Sequence, residues 1–376
     1  MTTRAAPAKR VMATNTAGGP KATIVTGDER FYRTMKNRLA KALPLKSVAI
    51  WTRDVSPLTS TSRKGVFVRR LADELRNTPA LLRLVMERTP SDALICSTPP
   101  VGALLSWRLV RLFRPTCALI LINFYFHASG EHPLVRLALR CLLSDGVAIC
   151  VQNPAEVEYY RRLAPSALVR YVAYGGGDVG DPGQAAQPPT AGDYIFSGGY
   201  SSRDYGTLVE AASGFPDEEF VIACATANRL PERLPANVRV VRDAEPTEFA
   251  RLLGHSKVVV LPLVNRPGSA GQMVALDAMR LARPLVFADV PAVAQYCDHR
   301  DSGMAFRPGD PDDLARKLRE ILADERLART LAAHAQDRWA RHFTGTAFEE
   351  HLADCILYIV RRNFAASLPM SARPSG

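Results

Sequence analysis

The sequence predicts an α/β protein built from two Rossmann-like domains that face each other across a cleft. Short apolar runs alternate with longer helical patterns in both halves of the chain. The runs are almost continuously apolar, which is typical of parallel strands covered by helices on both faces. A segment rich in Gly, Pro and Gln separates the halves, and we interpret residues 178–192 as the interdomain linker.

The first half predicts an N-terminal domain at residues 21–177, preceded by a tail at 1–20. The tail carries basic residues but no apolar core, so we expect disorder there rather than a secretory signal. Helical patterns at 30–43 and 101–113 alternate with the apolar runs. The predicted strands lie at 22–26, 47–51, 92–96, 117–124, 147–152 and 169–174.

The second half predicts a C-terminal domain at residues 193–345, followed by a last helix at 346–365. An acidic group at 310–313 could be read as a metal-binding cluster, but it fits the first turn of a capped helix better. In both domains, ligands are expected at the carboxyl ends of the strands. The predicted strands lie at 193–196, 219–224, 238–241, 256–261, 285–287 and 304–306.

Composition excludes several classes of protein. The chain has 376 residues, enough for two domains, and 47% of them are hydrophobic. No apolar run reaches the ~18 residues that a membrane span requires. The seven cysteines are odd in number, scattered, and form no CxxC pair, so neither a disulfide framework nor a zinc site is expected. Free thiols of this kind suit a reducing cytoplasm.

The charge is concentrated in the first half. Residues 1–180 contain 26 Lys or Arg against 12 Asp or Glu, whereas the remainder contains 22 against 25. Such a surface suits anionic lipid, a polyanion or nucleic acid. Basic amphipathic helices predicted at 67–88, 101–114 and 133–143 suit an anionic membrane surface. The alternative is packed Rossmann helices with a basic solvent face. No pattern of a nucleic-acid-binding module accompanies the charge, so we expect no nucleic-acid partner.

The most informative segment is a loop of small residues that leads into a predicted helix at 272–281. Such a loop leaves backbone N–H groups and the positive end of the helix dipole free to bind an anion. Asp277, further along the helix, can accept hydrogen bonds from sugar hydroxyls, and phosphate plus a diol describes a nucleotide or nucleotide sugar. The alternative is a surface loop with a solvated carboxylate. The loop residues are Ser269, Ala270, Gly271 and Gln272.

A second glycine-rich turn opens the C-terminal domain. Gly198 and Gly199 follow a predicted strand and precede a helix, so the backbone can approach a phosphate closely. Arg203 can add a bidentate positive charge for a diphosphate. The alternative is a tight turn in which Arg203 pairs with Asp204.

Both segments resemble the donor-binding signatures of retaining GT-B glycosyltransferases, in particular the family 4-like group (glycosyltransferase group 1). Leu276-Asp277-Ala278-Met279 is similar to that family's LEAM motif, and Pro284-Leu285-Val286 to its following PV context. Residues 198–211 resemble the variant GGxSxRDYxTLxxA. The resemblance implies the GT-B fold, with the last helix crossing back onto the N-terminal domain. It also implies metal-independent, retaining transfer of a sugar from a nucleotide-diphosphate sugar, without a cofactor.

The resemblance also implies roles for individual residues. Gly198, Gly199, Arg203 and the residues of the 269–272 loop would hold the diphosphate, and Asp277 the ribose. Base binding is expected in the loop after the strand at 238–241. On the acceptor side, Gly27 and Asp28 follow the first strand. The predicted base-binding residues are Arg242, Asp243 and Ala244.

A catalytic role is expected for two residues. Arg203 would stabilise the leaving diphosphate. His127 lies just beyond the strand at 117–124, and it could orient or protonate a sugar hydroxyl; the alternative is a satisfied, partly buried histidine. The expected acceptor is a glycan or lipid-linked precursor at the cytoplasmic face of the membrane.

Three positions depart from the family pattern. Ser269 stands where the family has its first Glu, and Tyr200 and Tyr205 stand at the Arg and Lys of the commoner phosphate motif. A hydroxyl cannot stabilise positive charge at the anomeric carbon as a carboxylate does. These departures leave open a non-catalytic GT-B protein that binds a nucleotide or glycan. A nucleotide-sugar epimerase on the same fold is a further alternative, although no motif gathers the acid and base residues that it needs.

Overall fold

The computed structural model describes residues 22–25, 48–51, 93–97, 107–108, 112, 118–122, 133–143, 145–176, 192–266 and 268–367. The predictions for the tail at 1–20, for most of the linker and for Gly27, Asp28 and His127 therefore lie outside the described residues. The chain divides into two compact units. One contains residues 1–152, 156–172 and 349–376, and the other contains residues 153–155 and 173–348.

The first unit contains a parallel sheet of six strands in the order β2-β1-β3-β4-β5-β6. Every residue of β4 and β5 is buried, as expected for strands covered on both faces. Helix α1 (Pro133–Leu142) connects β4 to β5, and α2 (Pro154–Leu163) connects β5 to β6. The strands are β1 (Ala22–Val25), β2 (Val48–Trp51), β3 (Ala93–Ser97), β4 (Ala118–Ile122), β5 (Val147–Val151) and β6 (Leu168–Tyr171).

The second unit contains a second parallel sheet of six strands, in the order β9-β8-β7-β10-β11-β12. Counted from the start of the unit, this order is 3-2-1-4-5-6, the arrangement of a dinucleotide-binding Rossmann fold. The strands are β7 (Tyr194–Gly198), β8 (Glu219–Cys224), β9 (Val238–Arg242), β10 (Val258–Leu261), β11 (Leu285–Ala288) and β12 (Met304–Phe306). The order reverses between β7 and β10, so ligands are expected beyond the carboxyl ends of these two strands.

Helices cover this sheet in two groups: α3 packs with α7, and α4 and α8 pack with α5. Since right-handed crossovers from β7 to β8 and from β10 to β11 run in opposite directions, α3 and α5 lie on opposite faces. Phe196, Leu208, Val259, Leu276 and Phe287 lie in the resulting core. The helices are α3 (Tyr205–Ala212), α4 (Pro246–Gly254), α5 (Gln272–Arg280), α6 (Pro291–Ala294), α7 (Pro311–Ala323), α8 (Glu325–His342) and α9 (Gly345–Ser367).

Several sequence-based expectations can be compared with these elements. The helix expected at 272–281 is α5, and the last helix expected at 346–365 is α9, whose residues from 349 onward belong to the first unit. The acidic residues at 310–313 open α7, where Asp310 accepts the backbone N–H of Asp313. In the part of the chain that the structure describes, no cluster of three or more His, Cys, Asp or Glu side chains has a metal-binding arrangement. Within the same part, no helix combines the length and apolarity needed to cross a membrane.

Helix α5 offers a direct test of this packing. Leu276 is 2% exposed in the core and Met273, one turn earlier, is 63% exposed. Leu276→Ala should lower the free energy of unfolding by about 2–5 kcal/mol, because it removes buried methyl groups and leaves a cavity. Met273→Ala should change it by less than about 0.5 kcal/mol. Urea denaturation followed by circular dichroism measures both, and equal losses would contradict the orientation of α5.

Candidate functional site

The loop after β7 is held by the side chain of Arg203. Its Nε donates to the carbonyl of Gly198 and its Nη1 to the carbonyl of Ser201, both at 2.8 Å. Gly199 has a φ of +116°, and a Cβ there would lie 2.1 Å from Nη2 of Arg203. Glycine is therefore required twice, by the backbone conformation and by the guanidinium that lies against it. Burial lowers the pKa of Arg203, but a guanidinium keeps its charge in proteins.

Tyr205 supports the same loop. Its side chain is 2% exposed, and its hydroxyl donates to the carbonyl of Gly199 at 2.8 Å. Burial raises the pKa of this phenol, so it stays neutral. The position that holds a Lys in the commoner family motif is thus occupied by an uncharged phenol, which holds the loop through its hydrogen bond to Gly199.

The suggested pairing of Arg203 with Asp204 is wrong. Asp204 is the N-cap of α3, where its carboxylate accepts the backbone N–H of Thr207 at 3.2 Å and the hydroxyl of Thr207 at 2.8 Å. A carboxylate that caps a helix is aimed at that helix and not at the preceding side chain. Arg203 instead donates to the carbonyls of Gly198 and Ser201 and keeps its charge.

The loop before α5 leaves its helix N-terminus without a side-chain cap. Gly271 is the N-cap residue, with a φ of +83°. As a glycine it has no side chain that could accept a capping hydrogen bond. By contrast, α3, α7 and α8 begin at Asp204, Asp310 and Asp324, each of which accepts a backbone N–H. The first backbone N–H groups of α5 have no intrahelical acceptor, and the helix dipole adds positive potential there. This is the geometry of an anion site.

The two loops are joined by backbone hydrogen bonds. The N–H of Asp204 donates to the carbonyl of Pro262, and the N–H of Val264 donates to the carbonyl of Ser202, each at 3.0 Å. Arg203 and Leu263 form the antiparallel bridge between them. The loop that contains Gly198, Gly199 and Arg203 therefore lies beside a second segment, which leads into residues 268–272. Both lie at the switch point of the sheet.

Asp277 lies on α5, two turns from the loop. Its side chain is 39% exposed, and its Oδ1 is 3.5 Å from Nη2 of Arg280. Burial raises the pKa of Asp277, and Arg280 acts in the opposite direction. The carboxylate is thus partly exposed to solvent and partly desolvated by surrounding protein, and its role in binding a ribose stays a prediction.

The residues expected to bind a base organise a neighbouring loop. Nη1 of Arg242 donates to the carbonyls of Ala225 and Asn228, at 2.8 and 2.9 Å. The carboxylate of Asp243 accepts from the backbone N–H of Thr226 at 2.9 Å and from its hydroxyl, and these bonds lower the pKa of Asp243. Both side chains are exposed, and Ala244 is half-buried. Their part in base recognition stays a prediction.

Three residues of this region were missed or misjudged from sequence. Nδ2 of Asn228 donates to the carbonyl of Tyr200 at 2.9 Å and links the base loop to the glycine loop. Nδ2 of Asn153, which belongs to the second unit, donates to the carbonyl of Gly268 at 2.9 Å. Tyr205 appeared only as a departure from a motif. An Asn before a Pro at 153–154 was the one local signal, because it marks a turn.

Comparisons with known proteins give one family match and several structures with a similar fold. Residues 196–324 match the family model described as Glycosyl transferases group 1. No curated protein matches the chain. Among solved structures, sucrose-phosphate synthase from Thermosynechococcus elongatus is 18% identical with a TM-score of 0.64, over 92% of this chain and 100% of that one.

Two further structures share the fold. Anabaena HepE, solved in complex with UDP and glucose, is 12% identical with a TM-score of 0.61, over 90% of this chain and 100% of that one. A mutant of S. aureus TarM, solved with Fondaparinux, alpha-GlcNAc-glycerol and UDP, is 13% identical with a TM-score of 0.52, over 76% of this chain and 59% of that one.

The solved structures show that the chain has the GT-B fold, with two Rossmann-like domains. Within this fold, residues 196–324 of the second unit are similar to the family described as Glycosyl transferases group 1. The two segments that resemble donor-binding signatures lie within the matched residues, and the roles of their individual residues stay predictions.

The contact between Gly199 and Arg203 can be tested with a matched glycine. Gly309 also has a positive φ, of +76°, but a Cβ there meets no atom within 4 Å. Gly309→Ala should cost about 1–2 kcal/mol in free energy of unfolding, from backbone strain alone. Gly199→Ala should cost about 1–3 kcal/mol more, because Arg203 must give up its carbonyl bonds.

A double-mutant cycle isolates this effect. In an Arg203→Ala background the added methyl group at Gly199 meets no guanidinium, so its extra cost should largely disappear. An unchanged cost of Gly199→Ala in that background, measured by urea denaturation, would show that Arg203 is not what the glycine accommodates.

Proposed function

We propose that this protein transfers a sugar from a nucleotide-diphosphate sugar to a glycan or lipid-linked acceptor, with retention of anomeric configuration and without a metal ion. The observation that carries the proposal is the uncapped N-terminus of α5 beside the Arg203 loop, both at the switch point of the second sheet. Preorganised N–H donors at such a site favour a bound diphosphate and the charge that develops on it as it leaves.

The chemistry is a single exchange of bonds at the anomeric carbon. The bond from that carbon to the diphosphate oxygen breaks, and a bond to the acceptor hydroxyl oxygen forms on the same face. The hydroxyl proton passes to the departing phosphate. Each strong donor to the leaving group contributes ~3 kcal/mol to transition-state stabilisation. We assign this contribution to Arg203, to the backbone of Gly198 and Gly199, and to the first N–H groups of α5.

The remaining residues are assigned by the family resemblance. Asp277 would hold the ribose, and the exposed Asp243 and Arg242 lie in the loop that would meet the base. His127, Gly27 and Asp28 would serve the acceptor side. HepE was solved with UDP-glucose, which supports a nucleotide-sugar donor for this chain as well.

A second function is supported by two positions. Ser269 replaces the carboxylate that the family places near the anomeric carbon, and Tyr205 replaces a phosphate-binding Lys with a buried phenol. Both changes remove charge from the site. They favour a protein that binds a nucleotide or glycan without turnover, and such a protein would bind the donor but release no nucleotide.

We place the acceptor at the cytoplasmic face of a membrane, because the first half of the chain is strongly basic. Helix α1 supports this placement. It exposes Leu137, with Arg136 and Arg140 also at exposed positions. A basic helix with an apolar side chain at its surface is suited to an anionic lipid headgroup layer.

Donor binding can be measured by thermal shift with UDP-, GDP- and ADP-sugars. A ligand at ~100 times its dissociation constant adds roughly 2.7 kcal/mol to stability. Asp277→Asn keeps the shape but loses the charge and one acceptor oxygen, so affinity should fall about tenfold, or about 1.4 kcal/mol.

Asp312→Asn is the matched control, because Asp312 is an exposed carboxylate on another helix of the same unit. It should bind as the unchanged chain does. Equal affinities for the two variants would remove the ribose role of Asp277. If no nucleotide shifts the unchanged protein, the proposed function fails.

Metal independence and retention can be tested together. With a donor identified by the shift panel, nucleotide release should be unchanged after the protein is treated with EDTA, because N–H groups and Arg203 supply the positive charge that a metal would otherwise supply. Proton NMR of the product should give the same anomeric configuration as the donor. Lost activity that Mg²⁺ or Mn²⁺ restores would refute metal independence, an inverted anomer would refute retention, and donor binding without product would favour the non-catalytic alternative.

A further inference from the structure

The second unit contains a cavity of about 440 Å³ that the proposed function does not use. It lies at the ends of β11 and β12 and against the first turns of α7, whereas the donor loops follow β7 and β10. Phe287 and Phe306 form its apolar wall. We call it the His299–Lys317 cavity, after two of the polar residues that line it.

Lys317 is a buried cation on α7, and the carboxylate of Asp313, one turn earlier on this helix, interacts with it electrostatically without a direct ion pair. Lys317 is 6% exposed, and its Nζ has Nε2 of His299 at 3.3 Å. Among the described residues it takes part in no ion pair, although neighbouring cations do. The nearby pairs are Arg307 with Asp310, Arg316 with Asp313, Arg338 with Asp298 and Arg300 with Glu320. An ammonium group removed from water normally requires a charged or hydrogen-bonding partner.

His299 cannot supply that partner. Its Nδ1 accepts the backbone N–H of Ala305 at 3.0 Å, and an amide nitrogen can only donate. Nδ1 is therefore unprotonated, so the proton of the neutral ring is on Nε2. Burial, Lys317 and Arg300 lower the pKa of His299, which keeps the ring neutral. The Nε2–H of His299 and the ammonium of Lys317 are thus two donors whose nitrogens lie 3.3 Å apart, and neither can accept a hydrogen bond from the other.

We propose that the His299–Lys317 cavity binds a small organic anion, whose phosphate or carboxylate oxygen accepts hydrogen bonds from both Nζ of Lys317 and Nε2 of His299. A single oxygen can lie within hydrogen-bonding distance of two donors that are this close. Arg307 and Arg316 line the same cavity with exposed guanidinium groups, which suit the remaining oxygens. The volume exceeds that of an oxyanion group alone, so an organic portion can pack against Phe287 and Phe306.

One residue of the protein competes for this role. Asp289 also lines the cavity, and its carboxylate is the internal acceptor that would make an external anion unnecessary. Asp298 and Asp313 line it too, but each is paired with an arginine. The experiment must therefore separate an external anion from Asp289, and from anions bound at the α5 loop.

The full-length protein is titrated with inorganic phosphate and, separately, with malonate, at ionic strength held constant with sodium chloride. Thermal stability and calorimetric binding are measured. One or both anions should raise the melting temperature of the unchanged protein, and whichever binds identifies the oxyanion class. Lys317→Met should weaken that binding by roughly tenfold or more, since it removes a charge-assisted donor. Arg326→Met, which removes an exposed charge from α8, is the matched control and should bind normally.

The stability of Lys317→Met, together with two further variants, His299→Asn and Asp289→Asn, separates a loss of anion binding from a folding defect. Lys317→Met retains an apolar stem of similar length, so without anion it should be at least as stable as the unchanged protein. His299→Asn retains an acceptor for Ala305 but loses the Nε2–H, and it should also bind more weakly. Asp289→Asn should bind the anion more tightly, because a repelling charge is removed, without loss of stability.

Three results would overturn the proposal. The first is the absence of any stabilisation by phosphate or malonate. The second is stabilisation that persists in Lys317→Met, which would place the anion elsewhere, at the α5 loop for example. The third is a loss of stability in Asp289→Asn without a gain in anion affinity, which would identify Asp289 as the internal partner of Lys317.

Discussion

The candidate site depends on the two backbone hydrogen bonds that join the loop after β7 to the segment after β10. Loops of small residues are normally mobile, because few side chains hold them. Here the bonds from Asp204 to Pro262 and from Val264 to Ser202 fix both loops to each other at the switch point of the sheet. The glycine loop and the segment that leads toward α5 are therefore held together without a ligand, and such preorganisation would reduce the cost of binding one.

Arg203 supplies the positive charge of the glycine loop, and Tyr205 supports the loop through a hydrogen bond. Two guanidinium nitrogens of Arg203 bind loop carbonyls, so the charge is held in place by the loop that it organises. The hydroxyl of Tyr205 donates to the carbonyl of Gly199 and contributes no charge. The site consequently relies on one fixed guanidinium and on backbone dipoles, where the commoner family motif would use both an Arg and a Lys.

The sequence predicted the strands and α5 well, because each produces a local pattern: a continuous apolar run, or small residues before a helical period. It also marked Gly199 and Gly271, whose positive φ angles need glycine. It could not predict the partners of Arg203, Arg242 or Asp243. Their partners are loop carbonyls and a threonine that the chain path brings near, and the adjacent Asp204 that sequence suggested was already used as a helix cap.

Left-handed backbone conformations occur in two loops at the carboxyl edge of the second sheet. Ser202 and Asp243 are non-glycine residues with φ of 54° and 50°, and each lies in a loop at the carboxyl edge of the sheet. Such conformations cost of order 1–3 kcal/mol, and they persist only where surrounding bonds fix them. The carbonyl of Ser202 accepts from Val264, and Asp243 is held by Thr226. Ala282, with a φ of 48°, merely ends α5. Arg300, with a φ of 62°, lies in the turn before β12, where its N–H donates to the carbonyl of Gly303. Of the described non-glycine residues with positive φ, Ser202 and Asp243 thus lie at the edge where the donor is expected, whereas Ala282 and Arg300 lie in turns elsewhere.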